Sequence, residues 1–185
     1  MDIFPVKIKD AKVLTPQLFT DTRGDFMELY NQNALNKEGI HDVFVQDNIS
    51  SSIKGVLRGV HTQLKWPQAK IVACLRGAIW DVIVDCRLNS PTFGNWYGEV
   101  LSSDNRKQLY IPQGVAHGYY AISDATILMK VTTHYTPGDE IGFRWDDNSI
   151  GIDWPLDCSS HPILAEKDKN WGSFKNMMEM LSQYR

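Results

Sequence analysis

The sequence predicts an all-β domain, a sandwich or barrel of short strands, and two observations carry that expectation. Short runs rich in β-branched and aromatic residues recur along the chain, and turn chemistry separates them. The runs are VFVQ at 43–46, GVLRGVH at 55–61, KIVACL at 70–75, AIWDVIVDC at 78–86, WYGEVL at 96–101, KQLYIP at 107–112, HGYYAI at 117–122 and TILMKVTTHY at 126–135. Between them lie Arg76-Gly77, Asn89-Ser90-Pro91, Pro112-Gln113-Gly114 and Pro137-Gly138-Asp139, where Gly, Pro and Asn supply turn conformations. Strands this short and this closely spaced indicate a sandwich or barrel, a group that includes the jelly roll. Residues 79–84 set Ile, Asp and Ile against Trp, Val and Val, the pattern of a strand buried on both faces. Helix is expected only at 33–38 and at 173–183, where Met177, Met178 and Leu181 share a face.

With no linker and no internal repeat, the 185 residues read as one domain, 1–185. A hydrophobic content of 43% is ordinary for a globular chain. The net charge of −3 argues against a nucleic-acid partner, since no cationic excess exists to neutralise a phosphate backbone. A few convergent Arg and Lys side chains still suffice for a small anion. Cys74, Cys86 and Cys158 are three widely spaced cysteines, which suggests reduced thiols rather than a disulfide framework. The first residues lack a signal-peptide pattern, and no apolar run is long enough to span a membrane. A cytoplasmic protein without a membrane partner is the expectation.

Three segments carry candidate chemistry. In Arg58-Gly59-Val60-His61-Thr62-Gln63, strand alternation puts His61 and Gln63 on one face. Arg58 falls on the other face unless the glycine kinks the chain. Gln113-Gly114-Val115-Ala116-His117-Gly118 opens a strand at a histidine flanked by small residues. Lys70, at the start of an apolar strand, is either a snorkelling end-cap or an ammonium aimed into a cavity to stabilise an oxyanion. Asp81 and Asp85 share a strand face, and either could orient a histidine. Spacing nominates no third ligand beside His61 and His117, so no metal site is expected. Asp168, within Glu166-Lys167-Asp168-Lys169, reads from its neighbours alone as a solvated charge run.

These segments also match a known family in order along nearly the whole chain. The matching stretches include Asp21-Thr22-Arg23-Gly24-Asp25-Phe26-Met27-Glu28, Val45-Gln46-Asp47-Asn48, Gly55-Val56-Leu57-Arg58-Gly59-Val60-His61 and Gln68-Ala69-Lys70. Asp81-Val82-Ile83-Val84-Asp85, Ser90-Pro91-Thr92-Phe93-Gly94, Ile111-Pro112-Gln113-Gly114-Val115-Ala116-His117-Gly118 and Gly151-Ile152-Asp153-Trp154-Pro155 continue the series. The chain thus resembles the dTDP-4-dehydrorhamnose 3,5-epimerases. The resemblance implies a cupin-like double-stranded β-helix (jelly roll) with short peripheral helices, free of metal and of redox cofactor. It implies a homodimer in which an N-terminal strand crosses between subunits, and a nucleoside-diphosphate 4-keto sugar as substrate. By the same resemblance His61 is the base, Asp168 the carboxylate that orients its ring, and Lys70 the cation that stabilises the enolate. His117 lines the sugar pocket, Arg58 binds the diphosphate with Arg23 reaching the same ligand, and Tyr135 stacks on the nucleobase. Phe26, Glu28, Gln46, Asn48 and Gln63 line the pocket.

Three positions depart from the family pattern. Where the family carries a tyrosine that serves as the acid opposite the histidine, this chain has Met129, and a thioether has no proton to give. Thr62 stands where an aromatic is common, and Ala73 where an arginine is common; both are expected to reshape the sugar or nucleotide pocket. The loss of the tyrosine points to epimerisation at carbon 3 alone, with water, Tyr119 or Tyr120 returning the proton. A full 3,5-epimerase and a non-catalytic sugar-nucleotide-binding relative are the competing expectations.

Overall fold

The computed structural model describes residues 1–156 and 161–184. In chain order the elements are β1 (Asp2–Pro5), β2 (Lys12–Thr15), β3 (Leu18–Asp21), β4 (Gly24–Met27), α1 (Gln32–Lys37), β5 (Gln46–Ser52), β6 (Leu57–Gln63) and β7 (Lys70–Arg76). They continue with β8 (Ala78–Asp85), β9 (Trp96–Ser102), β10 (Gln108–Ile111), β11 (Val115–Ala121), β12 (Ala125–Val131), β13 (Glu140–Gly142), α2 (Glu166–Lys169) and α3 (Phe174–Gln183). One antiparallel sheet runs β1-β2-β10-β7-β12-β5 and a second β13-β6-β11-β8-β9, while β3 and β4 form a separate hairpin. Face-to-face packing of the two sheets gives the expected jelly-roll sandwich.

Alternation along each strand divides its side chains between two apolar layers. Val72, Ile79, Ile83, Leu101, Leu109, Val115 and Ile127 come from both sheets and fill the space between them. On the opposite face of the five-stranded sheet, Val60, Val82, Val84, Ala116 and Tyr120 pack under Phe174, Met177 and Leu181 of α3. Outside the six-stranded sheet, Leu14, Ile71 and Tyr110 are covered by Leu35 and Ile40 from the segment around α1. β8 is buried on both faces, as its composition predicts.

Two sequence expectations shift. The strand expected at 43–46 begins only at Gln46 and runs through the polar residues to Ser52, held along its length by β12. The charge run at 166–169 is a short helix whose Asp168 is buried at 3% exposure rather than solvated. Cys74 and Cys86 are buried, and Cys158 lies outside the described residues.

Candidate active site

The site begins with a break in strand alternation. Arg58 lies opposite Tyr119, and His61 lies opposite His117, so three steps on β6 span two on β11. The extra residue is taken up at Gly59, whose φ is +100°, a conformation side-chain-bearing residues rarely adopt. A Cβ there would also lie 2.5 Å from the His117 carbonyl oxygen and 2.6 Å from the Gly118 Cα. Glycine therefore allows the slip, and the slip brings Arg58 onto the inner face with His61 and Gln63. The kink that the sequence left conditional is present.

On this five-stranded wall, the His61 ring stands near β13. Its Nδ1 lies 3.7 Å from Glu140 Oε1, too long for a hydrogen bond but within ion-pair range once the ring is protonated. The other Glu140 oxygen accepts from Lys167 Nζ at 2.7 Å. The expected pairing of His61 with Asp168 is not made. Asp168 instead accepts from Trp171 Nε1 at 3.2 Å, and burial pushes its carboxyl above the usual range. Glu140, on a three-residue strand, carried no signal in the sequence; only long-range pairing with β6 places it here.

Burial, reinforced by the positive fields of Lys70, Lys167 and His117, holds the His61 imidazole well below its ordinary 6.5. The ring is neutral at pH 7 and ready to accept a proton. Next to it, His117 Nε2 and Asp81 Oδ1 share a 2.6 Å hydrogen bond in the buried interior. Of the two aspartates that could orient a histidine, Asp81 does so. Asp85 instead binds Arg87, Ser90 and Thr92. Two buried acceptors on this wall, Asp81 Oδ2 and Gln63 Oε1, have no hydrogen-bond partner among the described residues.

The facing wall belongs to the six-stranded sheet. Lys70 opposes Val131, and Met129 opposes both Val72 and Asn48, with Gln46 the next inward position along β5. The Lys70 residue is only 6% exposed. Burial lowers its ammonium to about 8, against the pull of Glu140 and Asp81. Among the described residues no carboxylate oxygen lies within 4 Å of it. Gln46 donates to Asn48 Oδ1 at 2.7 Å and accepts the Tyr135 amide at 3.1 Å, which anchors the exposed Tyr135 ring at the end of β5. Arg58 crosses between the walls, donating to Ser52 Oγ at 3.1 Å and to the Ser51 carbonyl at 3.2 Å.

Other expected residues stay apart from this group. Arg23 pairs with Asp21 at 2.6 Å, Glu28 accepts from Asn31 at 2.9 Å, and Phe26 is exposed against Phe19. All three lie on or beside the β3–β4 hairpin, and none of their polar or ring contacts reaches the His61 group. Thr62 and Ala73 face outward, Thr62 opposite Ile141 and Ala73 opposite Gln108. Neither lines the interior around His61, so any effect of theirs on the sugar or nucleotide pocket is not exerted from that face. Tyr120 also faces outward, into the layer under α3, whereas Tyr119 faces inward.

A neutral histidine and a buried ammonium on facing walls define a cupin-like jelly-roll protein built for acid–base chemistry. A family profile described as dTDP-4-dehydrorhamnose 3,5-epimerase matches residues 5–176. The dTDP-4-dehydrorhamnose 3,5-epimerase of Methanothermobacter thermautotrophicus is 48% identical, over 87% of this chain and 88% of that one. The structure of dTDP-6-deoxy-D-glucose-3,5-epimerase from Legionella pneumophila, in complex with dTDP-4-keto-L-rhamnose, is 41% identical with a TM-score of 0.90. It covers 94% of this chain and 93% of that one. A 3′-monoepimerase from Streptomyces bikiniensis, in complex with dTDP-quinovose, is 29% identical with a TM-score of 0.87, over 97% and 89% of the two chains. The chain belongs to the dTDP-4-dehydrorhamnose 3,5-epimerase family, and it is an isomerase of the epimerase class.

Proposed function

We propose that the protein epimerises a nucleoside-diphosphate 4-keto-6-deoxy sugar, or a related 4-keto sugar, at carbon 3 alone. What supports this reading is Met129 on the inner face of the six-stranded wall, opposite Asn48 and Val72, at the position where the family resemblance expects a tyrosine acid. The carbonyl at carbon 4 acidifies the neighbouring C–H bond. Neutral His61 takes that proton, and the electron pair moves onto the carbonyl oxygen. Lys70, buried on the facing wall, stabilises the enolate oxygen in a site of low dielectric. Glu140 beside Nδ1 stabilises the imidazolium that forms, the role of the carboxylate in catalytic triads. Asp168 acts from behind this pair. His117, fixed by Asp81, lines the sugar pocket with Gln46, Asn48 and Gln63, while Arg58 binds the diphosphate and Tyr135 stacks on the base.

The chain acts as a homodimer in this reading. Arg23, Phe26 and Glu28, whose contacts stay on or beside the β3–β4 hairpin, are presented by that hairpin to the ligand of the second copy. The second functional reading, a full 3,5-epimerase, draws on the names of the most similar relatives.

Solvent deuterium exchange into dTDP-, GDP- and CDP-linked 4-keto sugars decides among the readings. Label at carbon 3 only is expected. Label at both carbons supports the 3,5-epimerase, and no label with any substrate supports a binding protein. His61→Asn is expected to abolish exchange, and wild-type rates in that variant refute the base. Met129→Tyr is expected to add inversion at the second carbon, read from the stereochemistry of the product.

A further inference from the structure

We propose that the Tyr119 hydroxyl returns the proton to the sugar on the face opposite His61. This inference rests on the reading of His61 as the base and supplies the donor that Met129 cannot be.

Tyr119 belongs to the same sheet as His61, but its ring spans the interior and delivers its oxygen to the other wall. The hydroxyl lies 3.0 Å from Ser52 Oγ and 3.3 Å from Ser50 Oγ, both on β5. Ser50 opposes Ile127, one inward step from the Asn48–Met129 pair. A phenol rooted in the histidine's sheet therefore brings its oxygen to the methionine's wall, at β5 positions that follow the Asn48–Met129 pair on the same face.

The hydrogen-bond inventory permits donation, since either oxygen of each Ser–Tyr119 pair can be the donor. A serine hydroxyl has one proton and two lone pairs. Ser52 Oγ already accepts from Arg58 Nε, so its own proton is free to point at the phenol oxygen. Ser50 can do the same. Two donors on one oxygen leave the Tyr119 proton free for the interior and stabilise the phenolate that remains. Tyr120, its neighbour, points out of the interior and is ruled out on geometry.

The step balances without a further reactant. The sugar C–H bond breaks, its proton goes to His61, and its electron pair becomes the enolate. The enolate carbon then takes the Tyr119 proton from the opposite face, the O–H bond breaks, and a phenolate is left. Water protonates the phenolate and accepts the proton from the imidazolium, which restores the enzyme.

The test separates exchange from inversion in the full-length chain with a dTDP-linked 4-keto-6-deoxy sugar. In Tyr119→Phe, His61 still removes and returns the proton on its own face, so deuterium exchange is expected to persist. Formation of the inverted sugar is expected to fall by about 10²–10⁴-fold, the usual weight of a general acid. The double variant Tyr119→Phe/Met129→Tyr is expected to recover inversion. Inversion at the wild-type rate in Tyr119→Phe overturns the assignment while leaving His61 in place. Equal loss of exchange and inversion in a folded Tyr119→Phe also overturns it, because that is the mark of a structural residue. Absence of exchange in the wild type removes both readings. If Tyr119→Phe does not fold, 3-fluorotyrosine at position 119 replaces it. Its more acidic phenol is expected to move the alkaline limb of inversion, but not of exchange, to lower pH; no movement refutes the donor.

Discussion

Replacing Lys70 with methionine is expected to stabilise the fold while removing the activity. The side chain is almost fully buried, and burial displaces its ammonium from 10.5 to about 8 despite the attraction of Glu140 and Asp81. At about 1.4 kcal/mol per pH unit, keeping that charge in the fold costs about 3 kcal/mol at neutral pH. Methionine keeps most of the length and all of the apolar stem and carries no charge. Lys70→Met should therefore gain about 3 kcal/mol, or roughly 6–12 °C in Tm for a chain of this size. The sign can be followed through pH. Between about 8 and 10.5 the unfolded chain holds a proton that the folded chain has released, so wild-type stability rises with pH across that window. The advantage of Lys70→Met should accordingly shrink above pH 8 and vanish above 10.5. Urea denaturation of both proteins at pH 7, 9 and 10.5, at one protein concentration, reads this directly. A gain that persists unchanged at pH 10.5 shows a packing effect and refutes charge burial. A loss of stability at pH 7 refutes the whole assignment of Lys70 as a strained functional group.

Other expected outcomes follow from the same site. The pH profile of kcat/KM for exchange should show an acid limb below 6.5, set by the depressed His61, and an alkaline limb near 8, set by Lys70; an alkaline limb at 10 or above removes Lys70 from the reaction. His61 also makes the fold acid-sensitive, because the unfolded chain takes up a proton near 6.5 that the folded ring refuses, so stability falls as pH drops below that value. His61→Asn should lack this part of the acid loss in denaturation curves from pH 7 to 5. Gly59→Ala should destabilise by about 2–5 kcal/mol in thermal melts, combining the strained φ with contact against the His117 carbonyl; a cost below 1 kcal/mol means that alanine is accommodated without the crossing that aligns Arg58 with His61.

What the sequence discloses depends on how locally each feature is determined. β8 and α3 are legible because their own residues carry the signal, a short run apolar on both faces for the buried strand and a 3.6-residue period for the helix. β5 was misplaced because Asp, Asn and Ser form strands poorly in isolation; pairing with β12 overrides that preference. The inward position of Arg58 turned on one dihedral at Gly59, which the sequence permits but does not impose. Glu140 was invisible because it reaches His61 through a three-residue strand, 79 positions away in sequence. Asp168 was misjudged as solvated because the charges beside it point elsewhere, Lys167 to Glu140 and Lys169 to Glu166.

The two ends of the interior do different work. Toward β2, β10 and β9 the sheets meet through Val13, Leu109 and Leu101, an apolar contact that stabilises the sandwich by burying surface. Toward the opposite end, where β5 and β13 are edge strands, the inward positions are Gln46, Asn48, Ser50, Ser52, Gln63 and Glu140. Such a polar row weakens a core unless each group finds a partner. Most do, but among the described residues Gln63 Oε1 and Asp81 Oδ2 do not, and Lys70 has no carboxylate in contact. These unmet demands, two acceptors and one cation, lie on inward-facing strands of one sandwich. In the proposed reaction a sugar offers hydroxyl donors to the acceptors, and its enolate oxygen offers an anion to the cation. The apolar end supplies the stability that allows the other end to keep groups unsatisfied until a ligand arrives.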